Sequence, residues 1–175
     1  MTVQRILKMG DARLLQQSEV VSDPTSDEIK SLIVDMMETM EANNGAGLAA
    51  PQIGVFQRIV IFGCESNPRY PDMEPIPLTV LINPKIEILS DEVIESWEGC
   101  LSVPGMRGLV PRYSELRYSG VDEHNQPIDR TVSGFHAIVV QHECDHLDGI
   151  LYPMRMPDMA AFGFEDELAK VPETE

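Results

Sequence analysis

His142 and His146 stand four residues apart in the run QHECDH, residues 141–146. On a helix that spacing turns both rings to one face, where they can hold a single metal ion. Glu143 directly follows the first histidine. It lies beside such an ion without having to ligate it, which suits a general base acting on metal-bound water. Cys144 falls roughly 200° round the helix from His142, at about 100° per residue, and is expected to pack away from the ion. The competing reading is two solvated histidines on a charged helix. Ala137 to Val140 are all apolar, however, so the helix is expected to be buried, and buried imidazoles need partners.

Three residue types could complete the site. A third histidine six residues beyond His146 would make a metzincin, but Tyr152 occupies that position. Glu165, 19 residues beyond His146, could act as the third ligand of a thermolysin-like peptidase. Cys100, in the Gly- and Pro-bounded turn EGCLSVPG, could instead supply a thiolate and leave an open fourth position for water. Two other readings stay open: a non-catalytic protein with a structural metal, and nucleophile chemistry at Cys100 with a histidine. The three cysteines, Cys64, Cys100 and Cys144, are too few and odd in number for a disulfide framework.

The elements that must hold these residues can be read from pattern. Ile29, Leu32, Ile33, Met36, Met37 and Met40 share one helical face; Thr25 and Glu28 read as a capping box, and Asn43-Asn44-Gly45 as the stop. GAGLAAPQIG, residues 45–54, is an apolar stretch ending in a proline turn. Arg58 to Phe62 reads as a strand, and 67–77, with four prolines, as a loop. Thr79–Asn83 and Lys85–Leu89 read as strands, with Val93–Trp97 as the return arm of a hairpin. Glu115–Val121 and Ile128–Val132 form a second hairpin around residues 122–127. The motif helix opens at Ser133-Gly134 and stops near Gly149, and a third, amphipathic helix is expected from Pro157 to about Lys170. The fold class is α+β: mixed or antiparallel strands around a central motif-bearing helix, with an N-terminal and a C-terminal helix. Residues 1–175 read as one catalytic domain, the packing of 154–175 being left unassigned.

Composition narrows the function. The 29 acidic against 13 basic residues give a net charge of −16, contrary to the basic stripe that nucleic-acid binding requires. No apolar run approaches the roughly 18–20 residues of a membrane span. The N-terminal MTVQRILKMGDARLLQQ lacks a secretory pattern. A soluble intracellular protein whose main task is neither membrane-spanning nor nucleic-acid binding is expected.

GAGLAAPQIG, EGCLSVPG and QHECDH, in this order and spacing, resemble the three signature motifs of bacterial-type peptide deformylase. The resemblance runs from ILKMGDARL to HLDGILY. It implies Cys100, His142 and His146 as ligands of one divalent ion, usually Fe(II), with Zn(II), Ni(II) or Co(II) as substitutes. The implied reaction is hydrolysis of the formyl group of N-formyl-methionyl nascent peptides, with Glu143 as acid/base. Gln52 and the backbone N–H of Leu101 would meet the oxyanion; read from its surroundings alone, Gln52 is a structural amide. Gly45, Ala46 and Gly47 would line the peptide wall, Val139 the methionine pocket, and Arg107 the peptide path. Glu98 and Arg112 would form an ion pair bracing the cysteine turn. Ala46 stands where many relatives carry Val or Ile. A transient ribosome contact would need a local basic patch, and none is evident in the sequence.

Overall fold

A computed structural model of the chain describes residues 2–64 and 74–170. Helix α1 spans Asp27–Ala42 and buries Ile29, Ile33, Met36 and Met40 on one face. Its cap lies one residue later than the sequence pattern indicates. The Ser26 side chain accepts from the N–H of Ile29, whereas Thr25 bonds Asp23. The helix closes through Asn44 in the left-handed region, at φ 51°.

The strands are β1 (Gly47–Ala49), β2 (Ile59–Cys64), β3 (Ile76–Ile88), β4 (Val93–Cys100), β5 (Val103–Tyr113), β6 (Glu115–Val121), β7 (Pro127–Ser133) and β8 (Phe162–Phe164). They form two antiparallel sheets, in the orders β1-β2-β3-β6-β7 and β4-β5-β8. Helix α2, Gly134–Leu147, touches strands of both sheets. Val60 and Phe62 pack toward α2, while Ile59 and Ile61 join the core beneath α1. Because β2 is covered on both faces, its sequence is an unbroken apolar run rather than an alternation. Ten of the fourteen α2 residues are buried, so it too lacks a polar face.

Several elements differ from the pattern. The two strands expected at 79–83 and 85–89 are one strand, β3, with a register shift between Ile82 and Lys85. Asn83 sits in that irregularity at φ 54°, and its side chain clasps the N–H and C=O of Val21 like a neighbouring strand. Val93–Trp97 is not a hairpin arm of β3; it belongs to β4, which crosses to the second sheet and pairs Val93 with Tyr113. Its partner β5 was hidden by Pro104 and Pro111. Both prolines lie outside Met106–Gly108, the stretch covered by β8, so one flank of the strand needs no N–H there.

The expected third helix is replaced by a 3-10 turn at Met159–Ala161, strand β8 and the single turn α3, Glu165–Leu168. Phe162-Gly163-Phe164 favours pairing with β5 over a helix. Of the expected loop at 67–77, residues 67–73 lie outside the described residues, and Ile76 already begins β3.

Candidate metal centre

Cys100 closes β4, and the Leu101-Ser102 turn folds back so that Cys100 faces Val103. The N–H of Ser102 points at the Cys100 sulfur (3.4 Å), and the same sulfur lies 3.3 Å from Nε2 of His146. Donor atoms of Cys100, His142 and His146 all fall within 4.8 Å of one another. Bonds of roughly 2.3 Å to sulfur and 2.0 Å to nitrogen in a tetrahedral site separate the two donors by about 3.5 Å. The observed spacing fits a shared ion. Among the described residues no other group of three such donors converges. Glu165, the thermolysin-like alternative, instead pairs with Arg107 (Nε to Oε1 3.0 Å).

His142 is oriented from behind. Its Nδ1 lies 2.7 Å from Oε2 of Glu98, leaving Nε2 for the ion. Arg112 grips both Glu98 oxygens (2.7 and 3.0 Å) and reaches Asp145 (2.6 Å), which in turn holds Arg155 (2.7 Å). Burial works to raise Glu98, but Arg112 and His142 hold its carboxyl at about 2. Burial works to lower His142, yet Cys100 and Glu98 draw it well above the usual imidazole range. The same pull would stabilise a divalent cation. Burial, together with the positive charges of His142 and Arg112, pushes His146 well below that range, and its Nδ1 has no partner among the described residues.

Glu143 sits beside this group. Burial pushes its carboxyl up to about 7, and its Oε2 has no hydrogen-bond partner among the described residues. Its Cδ lies where Gly47 lacks a side chain: a Cβ there would come to 2.6 Å. A Cβ added at Gly45 would likewise lie 3.0 Å from Leu101 Cδ1. Gln52 is held at both ends. Its Oε1 accepts from the N–H of Ala49 (2.8 Å), while Nε2 donates to Ser102 Oγ (3.1 Å) and lies 3.4 Å from the Cys100 sulfur. The structural-amide reading therefore describes one end of Gln52, and the other end points into the site.

A narrow cleft opens over these groups. Gly45, Ala46 and Gly47 form one wall, along the free edge of the first sheet, and β4 from Ser96 to Gly99 forms the other. Phe135, Ile138 and Val139 of α2 supply its apolar floor, beside Leu101, His142 and Glu143. Arg107 is not among the lining residues; it lies on β5, paired with Glu165. Cys144 packs in the core, where burial pushes its thiol up.

Three contributors escaped the sequence reading. Ser102 bridges Gln52 and the cysteine turn, and its carbonyl accepts from the N–H of Met9. Asp145, inside the QHECDH run, shares Arg112 with Glu98. Tyr152 stacks on His142 (centroids 6.1 Å apart) and donates its hydroxyl to the Met106 carbonyl (3.2 Å). Only Asp145 had a legible signal, as the second acid of a motif that contains one committed base.

Two antiparallel sheets around a buried helix, with a Cys-His-His donor set and an adjacent acid, define a metallohydrolase-type centre. The chain belongs to the polypeptide deformylase family, whose model matches residues 3–161. It is 60% identical to peptide deformylase 1 of Nitrosomonas europaea and to peptide deformylase 2 of Ralstonia nicotianae, in each case over 95% of this chain and 94% of the relative. A Met-Ala-Ser-bound crystal structure of class I type b peptide deformylase from Acinetobacter baumannii superposes with a TM-score of 0.85 at 36% identity, covering 89% of this chain and 99% of that one. The actinonin complex of the Synechococcus elongatus enzyme gives 0.79 at 34% identity, covering 90% and 81%. The chain is accordingly a hydrolase of a metal-dependent family that removes formyl groups from nascent peptides.

Proposed function

We propose that this chain hydrolyses the formyl group of N-formyl-methionyl nascent peptides in the cytoplasm, with Cys100, His142 and His146 holding one Fe(II) ion and Glu143 moving the proton. The observation that carries this reading is the unpartnered, buried Oε2 of Glu143 beside three converging donors in an open cleft. A bound divalent ion supplies Lewis acidity toward the formyl oxygen and the attacking water. The residues do the rest. Glu143 accepts a proton from water as its oxygen bonds to the formyl carbon, then delivers that proton to the methionine nitrogen as the C–N bond breaks and formate leaves. Its carboxyl, raised to about 7, suits both directions of transfer near neutral pH.

Gln52 Nε2 and the Leu101 N–H donate to the oxyanion; loss of one such donor costs about 3 kcal/mol of transition-state stabilisation in a comparable hydrolase. The longer Gln52 contact, to sulfur, is the one a substrate oxygen replaces. The methionine side chain rests on Phe135, Ile138 and Val139, and the peptide backbone runs between the edges of β1 and β4. That a relative of the same fold is solved with Met-Ala-Ser bound supports a methionyl peptide as the ligand class.

Metal content distinguishes the ligand sets: Cys100→Ala should lose stoichiometric metal and Glu165→Ala should keep it. Retention by the cysteine variant would overturn the assignment. For the iron, activity of the Fe(II) form should decay in air faster than that of the Ni(II) form, since a sulfur-held ferrous ion is the oxidisable one. Equal decay rates would count against iron as the labile partner.

A further inference from the structure

The free edge of β4 has two faces, and the chemistry above uses one. Side chains alternate along a strand. Ser96, Glu98 and Cys100 turn toward the buried side, whereas Glu95, Trp97 and Gly99 turn outward. Trp97, the one tryptophan of the chain, lines the cleft yet remains 40% exposed. Its cross-strand neighbour is Leu109, on the same outer face as Arg107. A Cβ added at Gly99 would lie 3.7 Å from both Arg107 Cγ and Glu165 Oε1. The Trp97–Gly99 edge is thus a bare shelf, with an indole at one end and the Arg107–Glu165 pair (3.0 Å) at the other.

An extended peptide along this edge, with its methionine side chain directed at α2, must direct the next side chain to the opposite face. That is the face of Trp97. We propose that Trp97 determines specificity for the second residue of the substrate, and that the outer shelf of β4 takes a large apolar, preferably aromatic, side chain there. Arg107 and Glu165 satisfy one another, so charge contributes little to the selection. The inference rests on the peptide placement proposed above. It adds a recognition element outside the methionine pocket.

The test compares formyl-Met-Phe-Ser with formyl-Met-Ala-Ser on metal-loaded wild type, Trp97→Ala and Trp97→Phe. Wild type should favour the Phe peptide in kcat/KM by about threefold to tenfold, the range expected of an added aromatic contact. The preference should lie in KM, since the contact forms in substrate and transition state alike. Trp97→Ala should bring the ratio to about one, and Trp97→Phe should restore most of it. An unchanged ratio in Trp97→Ala, or no preference in wild type, would overturn the proposal. The single indole gives a second readout: Met-Phe-Ser should perturb Trp97 emission at lower concentration than Met-Ala-Ser, and equal titrations would count against the shelf. If wild type releases no formate from either peptide, the reaction reading fails, and the emission titrations decide the subsite alone.

Discussion

A carboxylate buried without a partner is costly, and proteins usually avoid one. Glu143 is tolerated because it can hold a proton near neutral pH and because Gly47 leaves room for its carboxyl group. Gly47→Ala should therefore displace Glu143 while leaving the three ligands in place. Turnover should fall on the order of 100-fold, as a misplacement of about 1 Å can cost, with bound metal unchanged. An undiminished kcat in that variant would show that Glu143 is not held by this contact. Ala46, on the same wall, presents only a methyl group to the cleft. Ala46→Ile should alter KM or peptide preference more than metal content; a parallel loss of metal would contradict its placement on the substrate side.

At the scale of elements, the β4–β5 hairpin and α2 meet through one chain of charges, from His142 through Glu98 and Arg112 to Asp145 and Arg155. Glu98→Ala should leave the buried Arg112 with Asp145 as its remaining acidic partner and free the His142 ring. Metal affinity, measured by chelator competition, should fall roughly 10–100-fold, and stability by about 3–5 kcal/mol. Arg155→Ala, at the half-exposed end, should cost less than about 1 kcal/mol. Equal effects at the two ends would refute a gradient of burial along the chain. The same elements show what the sequence could convey. Helix α1 announced itself through one apolar face, and the β6–β7 hairpin through alternation around a turn. The four-residue step turns His142 and His146 to one side of α2, where Cys100 converges with them, but that spacing alone does not choose Cys100 over Glu165; the resemblance does. Strand β5 escaped because its prolines sit where β8 does not pair, a fact of tertiary structure. Tyr152 escaped for the same reason: its contact with His142 follows from the path of the chain after α2, with no local pattern to mark it.

At the scale of the molecule, the cleft lies between one edge of each sheet, β1 of the first and β4 of the second, with Cys100 and His142 among its lining residues. The whole arrangement lies within the span shared with relatives of 60% identity. The charge of −16 keeps the surface acidic, so any approach to a polyanionic partner would depend on local basic groups rather than on the overall field. Among the described residues no helix is long and apolar enough to cross a membrane. The central claim is that Glu143 moves the proton at a Cys-His-His centre that removes formyl groups. It is tested most directly by formate released per bound metal ion from formyl-Met-Ala-Ser, under anaerobic conditions, by wild type and Glu143→Gln carrying the same metal. Wild type should turn over, and the variant should retain its metal but fall by about 100-fold or more, the contribution expected of a general acid/base. Comparable turnover by the two proteins at equal metal content would contradict the account.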